Sequence, residues 1–515
     1  MERDRALTSR RRFLSAGLIG LTAKAERAIT GSFVNDSHQL GHRLRDRSPF
    51  TRPTQQLKVP LVIVGGGMAG LSAAWRLDKS GFHDFVLLEM DPQAGGNARW
   101  GENEISAYPW AAHYVPIPNR KSALVRELFE ELGLLHEGKL EERHLCFSPQ
   151  ERLFLHGRWQ EDLEPAVGAT AEDRKQYRDF EQRMQQFRAS GEFTIPIDLG
   201  AKPSSLDQIS MADWLHHSGF NSPYLNWYVN YACRDDYGAL ASNVSAWASI
   251  HYFASRENED KGPFTWPEGN GWIAKRLLAK LDRYVKTSST VYRIARDGGR
   301  IRILTEDSEY FAEALIFAAP TFLAPYILEG APPVRGFEYS PWLTANLTLD
   351  RLPRERGLEM AWDNVIYDSP ALGYVVATHQ NLSSRVDRTV WTYYWSLAEA
   401  SPSQSRRRLL DKDWSYWKEA ILNDLGRAHP DIRACVSRID IMRMGHAMVR
   451  PTVGCLASEE RKTLANYGAC NIWFANSDLS GISIFEEAQY RGVRAADRAL
   501  RILGRPALKA FPKGD

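Results

Sequence analysis

The sequence predicts an α/β protein that contains a Rossmann-like unit, and residues 59–89 carry the evidence. An apolar run at 59–64 predicts a buried strand, residues 68–77 have a helical pattern, and a second apolar run at 85–88 predicts another strand. Three glycines precede the helix and an acid follows the second strand: Gly65, Gly67, Gly70 and Glu89. Such glycines admit a pyrophosphate to backbone N–H groups at a helix N-terminus, and the acid accepts hydrogen bonds from a ribose. The unit therefore predicts a dinucleotide-binding site.

The next residues, 90–99, extend this pattern with the pair Gly95 and Gly96, followed by Asn97 and Arg99. The run resembles the Glu-x5-Gly-Gly-Arg element of the flavin-containing amine oxidase superfamily, which has protoporphyrinogen oxidase and phytoene desaturase relatives. In that family the element wraps the pyrophosphate of FAD. Because Asn97 stands where the family usually has arginine, we expect Arg99 to supply the displaced charge.

The resemblance recurs at intervals along the chain. The matching segments are 108–114, which resembles the element that lines the flavin, 266–272, a turn that starts a helix, 289–294, a strand whose backbone meets the adenine at Val291, 314–320, the strand and turn that follow it, 471–477, the last core strand, and 487–496, the C-terminal helix. The resemblance implies FAD as the cofactor. The cofactor-binding residues that it implies are Gly65, Gly67, Met68, Ala69, Gly70, Glu89, Met90, Gly95, Gly96, Asn97, Arg99, Ala112, His113, Val291, Ala319, Ser477, Phe485, Glu487 and Ala488.

The helix expected to begin near Phe485 has a physical role in this resemblance. Its N-terminus would face the part of the flavin where negative charge accumulates on reduction, and a helix dipole stabilises such charge. Glu486 and Glu487 would oppose this effect if they faced the ring. We therefore expect both carboxylates to turn toward backbone donors or solvent.

The motifs fall into three separated blocks, which predicts a Rossmann-like FAD-binding domain assembled from residues 59–120, 262–325 and 441–503. Residues 121–261 and 326–440 are expected to form an inserted α+β substrate domain, with helices at 121–135 and 171–189 and strands at 343–349, 373–378 and 389–397. The polar segment 26–58 is expected to be a linker, and 504–515 a C-terminal tail.

Residues 1–25 resemble a twin-arginine signal peptide. Ser9-Arg10-Arg11-Arg12-Phe13-Leu14 precedes a short apolar run and Ala23-Lys24-Ala25, an A-x-A-like cleavage site. This predicts the twin-arginine export machinery as a partner and a periplasmic or otherwise exported location, with a basic surface helix as the alternative. The apolar run is shorter than the roughly 20 residues that span a bilayer, so no integral membrane span is expected.

The charge balance gives no indication of a nucleic-acid partner. The chain has a formal net charge of +2, from 65 Lys+Arg and 63 Asp+Glu. Residues 1–25 hold six basic and two acidic groups, so the rest of the chain is near −2. The five cysteines include no CxxC pair, so neither a disulfide framework nor a metal site is predicted, although a single bridge is left open.

Catalytic side chains are expected to be few, because in such enzymes FAD carries out the redox chemistry and the protein positions the substrate. Counted from the last predicted strand, His446 and Ala447 fall where monoamine oxidases place a covalent cysteine and a cage tyrosine. His446 is the predicted catalytic residue, as a base, a hydrogen-bond donor or a covalent link, with a buried structural histidine as the alternative. Arg443 and Arg450 flank it and are candidates for binding a carboxylate or for structural ion pairs.

Substrate contacts are predicted for Phe485, which falls at the second cage tyrosine, and for Tyr393 and Trp395 in an aromatic-rich segment. Aromatic rings hold an amine by cation–π contacts or pack an apolar polyene, and core packing is the alternative role. Asn346 lies about where amine oxidases carry a lysine, which argues against simple amine oxidation.

These features predict an FAD-dependent oxidoreductase that abstracts a hydride from an amine or amino-acid-like small molecule onto flavin N5. Two alternatives stay open: a desaturase or isomerase of an apolar isoprenoid-like substrate, and a non-catalytic flavoprotein.

Overall fold

The computed structural model describes residues 28–34, 37–200, 204–257, 261–355, 357–382 and 386–508. The expected signal peptide, residues 1–25, lies outside these ranges. The described part of the chain contains thirteen α-helices, which are α1 His38–Arg45, α2 Met68–Lys79, α3 Ala123–Glu131, α4 Ala171–Ser190, α5 Met211–His217, α6 Pro223–Tyr237, α7 Ala246–Ala254, α8 Gly271–Leu281, α9 Ala324–Ile327, α10 Pro402–Asp411, α11 Trp414–Leu425, α12 Glu459–Ala465 and α13 Phe485–Ile502.

The strands of the described ranges are β1 Gln55–Lys58, β2 Leu61–Val64, β3 Phe85–Leu88, β4 Trp100–Glu102, β5 Ala107–Pro109, β6 Tyr114–Val115, β7 Leu135–His136, β8 Lys139–Leu140, β9 Glu151–Leu155, β10 Arg158–Glu161, β11 Phe264–Thr265, β12 Val285–Lys286, β13 Arg293–Asp297, β14 Arg300–Leu304, β15 Ser308–Ala312, β16 Ala314–Phe317, β17 Glu338–Leu349, β18 Asp363–Ile366, β19 Gly373–Val376, β20 Thr389–Ser396, β21 Val436–Arg450 and β22 Ile472–Phe474.

A five-stranded parallel sheet in the order β12-β3-β2-β16-β22 forms the Rossmann-like domain. Its strands β2, β3 and β16 are buried along their whole length, as their apolar runs predict. Helices α2, α8 and α13 pack on one face, and the four-stranded sheet β1-β15-β14-β13 covers the other. The carboxyl ends of the parallel strands therefore meet at one edge, where ligands bind in folds of this type.

A seven-stranded sheet in the order β10-β9-β18-β19-β20-β17-β21 forms the second domain. Among the described strands of this sheet, β9 and β18 pair in parallel and all other neighbours pair antiparallel. Helices α10 and α11 cover one face, and α6 packs on the other through an aromatic-rich cluster. Helices α4 to α7 enclose a further apolar core. The helices and strands predicted for the inserted domain correspond to α3, α4, β17, β19 and β20.

Three predictions about organisation require correction. The segment expected to be a linker is integrated into the fold, since Thr30 and Phe33 pair with β21, α1 follows, and β1 pairs with β15. These short polar elements have no apolar periodicity that would identify them. β21 belongs to the seven-stranded sheet, so the third Rossmann block begins after Arg450 rather than at residue 441. Val291 lies before β13 rather than inside a strand.

Candidate cofactor site and adjoining acidic pocket

A cavity of about 560 Å³ lies along the carboxyl edge of the five-stranded sheet, bounded by β21, the start of α13 and helix α1. Most of the residues predicted to bind the cofactor line it: Gly65, Gly67, Met68, Ala69, Glu89, Met90, Gly96, Asn97, Arg99, Ala112, Val291, Ala319, Ser477, Phe485 and Ala488. We refer to it as the cofactor cavity. Its lining includes residues of the first and last motifs, which lie more than four hundred positions apart in the sequence.

Glu89 lies directly after β3, and the backbone already holds its carboxylate. Oε2 accepts a hydrogen bond from the N–H of Gly66 at 2.7 Å, and Oε1 accepts one from the N–H of Asp91 at 2.8 Å. Desolvation raises the pKa of Glu89, while these two N–H donors oppose the shift. The carboxylate is thus fixed at the cavity wall, in position to accept hydrogen bonds from ribose hydroxyls.

Arg99 also lies at the cavity wall, and its guanidinium is held by an acid. It donates to Oδ2 of Asp91 at 2.7 Å and to the carbonyl of Gly96 at 3.1 Å. The hydroxyl of Ser37 donates to the other oxygen of Asp91. Asn97 donates to the carbonyl of Ala447 on β21 at 2.7 Å and so links the two domains. A fixed guanidinium at this edge suits a pyrophosphate.

The N-terminus of α13 faces the cofactor cavity through Phe485 and Ala488. Both acids of its first turn point away, as expected. Glu487 accepts a hydrogen bond from the N–H of Ile197 at 2.6 Å and another from Ser480, and Glu486 pairs with Arg256. The helix dipole is therefore not opposed by its own carboxylates. The same geometry corrects the assignment of Glu487 as a cofactor contact.

Three more predicted contacts lie behind the cavity wall. A Cβ at Gly70 would lie 1.9 Å from the carbonyl oxygen of Gly65, so this glycine serves helix packing. Gly95 donates its N–H to the carbonyl of Gly66 at 2.8 Å. His113 stacks on Tyr394 with ring centroids 4.6 Å apart, and desolvation lowers its pKa to about 4. Neither Gly95 nor His113 lines the cavity.

Tyr393 and Trp395 face away from the cofactor cavity, which corrects their assignment as substrate contacts. Successive residues of a strand point to opposite faces, and these two lie on the α11 side of the sheet. Tyr393 donates to Asp424 at 2.9 Å, and Trp395 packs against Trp417. Tyr394 lies on the other face and donates to the carbonyl of Ala111 at 2.9 Å.

His446, the predicted catalytic residue, lies on β21 and lines the cofactor cavity. Its ring stacks on Phe322 with centroids 4.4 Å apart. Desolvation, together with the positive charge of Arg406 and His42, lowers its pKa to about 4. The imidazole is therefore neutral at pH 7 and a weak base, and its catalytic role stays a prediction.

The other polar candidates near His446 have structural partners. Arg450 is 4% exposed and pairs with Glu338 at 2.6 Å. Arg443 lines the cavity, donates to the carbonyl of Leu409 at 3.0 Å and lies over the ring of Phe33. Asn346 donates to the carbonyl of Pro109 at 3.0 Å and accepts a hydrogen bond from Thr392 at 2.7 Å. Its side chain is thus held by the protein and does not replace the lysine that amine oxidases carry at about this position.

Three carboxylates that sequence reasoning missed lie near one another between the seven-stranded sheet and α6. Glu151 on β9 and Asp363 on β18 are register partners, and Asp235 on α6 follows Tyr231 by one turn. Burial and the charges of these acids raise the pKa values of three nearby tyrosines, which are Tyr114, Tyr231 and Tyr394. We call the region formed by these six residues the acidic pocket. In the sequence, the available sign of this site was Asp235, an acid within an aromatic-rich helix. Its proximity to Glu151 and Asp363 arises only from the fold.

Burial and repulsion from nearby acids perturb all three carboxyl groups. Desolvation and neighbouring acids raise the pKa of Glu151 to about 7 and that of Asp235 to about 7, and they raise the pKa of Asp363 well above its ordinary value. None of the three forms an ion pair with a basic side chain of the described ranges. The nearby Arg234 instead donates to the carbonyls of Ser369, Pro370 and Ala371. The acidic pocket therefore concentrates three acids without a direct ion pair, although the charge of Arg234 opposes the rise in the pKa of Asp235.

The acidic pocket adjoins the cofactor cavity. Met444, Ala447 and Met448 line the cavity and also pack against the aromatic cluster that contains Tyr231 and Tyr394. The hydroxyl of Tyr394 contacts Ala111, whose neighbour Ala112 lines the cavity. In the described part of the chain, no group of three or more metal-ligand side chains could hold an ion. Within the same ranges, no helix is long and apolar enough to cross a membrane.

Comparisons with known proteins agree with this architecture. The family model of an NAD(P)-binding Rossmann-like domain matches residues 63–132. Over 110 residues the chain is 31% identical to the Baeyer-Villiger monooxygenase peniC of Penicillium patulum, a match that covers 20% of this chain and 16% of that protein. Over 117 residues it is 36% identical to the L-amino acid oxidase Lm29 of Lachesis muta, covering 21% and 22%. The chain thus matches less than a quarter of the length of either relative.

A solved structure of putrescine oxidase, a triple mutant redesigned in cofactor binding, superposes with a TM-score of 0.66 at 16% identity, covering 88% of this chain and 100% of that one. The two proteins share their overall fold. The protein is thus an α/β protein with a Rossmann-like domain and an overall fold like that of putrescine oxidase. The glycine turn, the fixed Glu89 and the local match to an L-amino acid oxidase together indicate FAD as the cofactor.

Proposed function

We propose that the protein is an FAD-dependent oxidoreductase that removes a hydride from the carbon next to the nitrogen of a cationic amine. The observation that carries this proposal is the acidic pocket beside the cofactor cavity. Half-buried carboxylates without a direct ion-pair partner are costly, and a protonated amine would supply a positive charge to pair with them. An apolar isoprenoid-like substrate would leave them uncompensated, so the pocket favours an amine.

The chain's own residues would bind and prepare the amine. Glu151 and Asp235, whose pKa values lie near 7, can accept a proton from an ammonium group at neutral pH, close to the rings of Tyr114 and Tyr394. Loss of that proton frees the nitrogen lone pair that supports hydride departure. FAD, when bound, supplies the hydride acceptor, and the α13 dipole favours the resulting negative charge.

The pocket also discriminates among nitrogen compounds. The carboxylate of an amino acid would be repelled by Glu151, Asp235 and Asp363, so we propose amines without an adjacent acid group as the preferred substrates. Amino acids are a weaker candidate class, although a relative matched in one segment is an L-amino acid oxidase.

Anaerobic mixing of the FAD-loaded protein with primary amines, diamines, amino acids and polyenes tests the proposal. Loss of the visible flavin absorbance with amines, and not with polyenes, is the expected result. Bleaching by polyenes alone would favour a desaturase, and no bleaching by any of these compounds would favour a non-catalytic flavoprotein. Hydrogen peroxide formed under air would identify an oxidase rather than a dehydrogenase.

A further inference from the structure

The segment that precedes the Rossmann unit begins as an added edge of the seven-stranded sheet. The N–H groups of Thr30 and Val34 donate to the carbonyls of Ser437 and Ile441 at 3.0 and 2.9 Å. In return, Ile439 donates to the carbonyl of Thr30 at 2.8 Å. These bonds fix residues 28–34 to β21, which belongs to the substrate domain.

The same segment then crosses the cofactor cavity as helix α1. Six of its residues line the cavity: Ser37, His38, Gly41, His42, Leu44 and Arg45. Leu44 is 4% exposed and packs in one cluster with Val64, Leu88 and Val291, at the end of the cavity assigned to adenosine. Helix α1 therefore forms a wall of the cofactor cavity. None of its residues belongs to a motif identified in the sequence.

Beyond α1 the chain is tied to the Rossmann-like domain. Arg43 pairs with Glu306 at 3.1 Å, and its guanidinium lies 4.2 Å from the ring centre of Phe50. Phe50 in turn stacks on Tyr292 with centroids 4.8 Å apart. Residues 28–34 and 37–50, here called the strap, are thus anchored in both domains on either side of the cavity.

We propose that the strap is part of the FAD site: α1 closes the cavity over the bound cofactor, and Ser37 positions the guanidinium of Arg99 through Asp91. The hydroxyl of Ser37 donates a hydrogen bond to one oxygen of Asp91, and Arg99 donates to the other. The carboxylate therefore cannot rotate away from Arg99. FAD leaves only when α1 separates from the cavity. This role concerns cofactor retention and holds whichever substrate is oxidised.

The test uses two substitutions in the full-length chain. Gly31 has φ +143°, and a Cβ there would lie 1.8 Å from the carbonyl oxygen of Ile439, so Gly31→Val disrupts docking of the strap at a point outside the cavity lining. Ser37→Ala removes one hydroxyl and leaves the backbone intact. Ser190→Ala is the matched control, because it removes an exposed hydroxyl hydrogen bond on α4.

The measurement is the rate at which FAD fluorescence appears after dilution, with thermal unfolding as a check on the fold. We expect Gly31→Val to release FAD about tenfold faster or more, because local opening of the strap becomes the favoured state. Ser37→Ala should release FAD about tenfold faster, the lower end of what one hydrogen bond to a charged group contributes. Ser190→Ala should match the wild type.

Wild-type release rates in both strap variants, with normal thermal unfolding, would overturn the proposal. If Gly31→Val fails to fold, Ser37→Ala decides, and Ser37→Cys, which keeps a weak donor, should give an intermediate rate. Flavin reduction by an amine is measured separately on the loaded fraction. FAD release is measured without amine, so failure of the amine proposal and failure of the strap proposal give different results.

Discussion

Glu151 and Asp363 are register partners on adjacent parallel strands, and their carboxylates project from the same face of the seven-stranded sheet toward Asp235 on α6. Burial raises the pKa values of all three acids, and the charges of neighbouring acids add to the shift. A fold retains such a group at a cost in stability, so the arrangement is best explained by a ligand of opposite charge.

Neutral isosteres of these acids should weaken amine binding. For Asp363→Asn or Glu151→Gln we expect the amine Kd to rise about tenfold or more, the loss of a charge-assisted hydrogen bond. Rapid-mixing measurements of flavin reduction against amine concentration give this Kd. Glu161→Gln on β10 is the control, since Glu161 is exposed on the same sheet. An unchanged Kd in both pocket variants would show that the amine binds elsewhere.

Amine affinity should depend on pH with a definite sign. The carboxyls of Glu151 and Asp235 have pKa values of about 7, against ordinary values of 4.5 and 3.8, so they are protonated in weak acid and negative above neutrality. Affinity for a cation should therefore increase from about pH 5 to about pH 8, where the amine is still protonated. The Kd at each pH checks this, and a Kd that rises over the same range would contradict it.

The same shifts predict how stability changes with pH in the absence of amine. A carboxyl whose folded pKa is raised contributes stability that is present below its unfolded pKa and is lost as pH rises through about 7. Glu151→Gln combined with Asp235→Asn should therefore raise the melting temperature relative to wild type at about pH 8 and much less at about pH 5. Calorimetric or fluorescence melting curves at the two pH values measure this difference.

The sequence predicted most reliably those features that lie within a short stretch of the chain. The turn at Gly65 and the acid at Glu89 follow one another within a single strand–helix–strand unit, so their spacing alone identified them. The acidic pocket depends on the register between β9 and β18 and on the packing of α6, which no spacing encodes. Tyr393 was assigned to the wrong face because an aromatic-rich strand gives no sign of which alternate set faces the cofactor.

Glu89→Ala should weaken FAD binding by about tenfold to a hundredfold, because the ribose loses hydrogen bonds to a charged acceptor. The Gly66 and Asp91 N–H groups that Glu89 holds would also lose their partner. Titration of the apoprotein with FAD, followed by flavin fluorescence quenching, gives the affinity. Asp84→Asn, an exposed acid just before β3, should leave it unchanged. Equal affinity in wild type and Glu89→Ala would remove the ribose assignment.

Export by the twin-arginine route is a prediction that rests on residues 1–25. Changing Arg10 and Arg11 together to lysine preserves charge but should leave a folded, FAD-loaded precursor in the cytoplasm, because a receptor reads the arginine pair. Fractionation of cells that produce each form measures the exported share. Export of the double-lysine form at the wild-type level would refute the signal assignment.

The environment of His446 narrows what its imidazole does in the cofactor cavity. With a pKa of about 4, its imidazole is neutral near pH 7 but binds a proton only weakly, so it is poorly suited to general base catalysis. We expect His446→Ala to slow flavin reduction by less than the roughly 10²-fold that marks loss of a general base, and to leave the pH profile unchanged between about pH 5 and about pH 8. Because His446 lines the cofactor cavity beside Phe322, we expect it to contact the bound cofactor, so the flavin absorbance spectrum of the variant should shift. A larger rate loss together with a missing ionisation near neutrality would instead identify His446 as the base. Flavin that stays with the acid-precipitated wild-type chain and is released from His446→Ala would identify a covalent link.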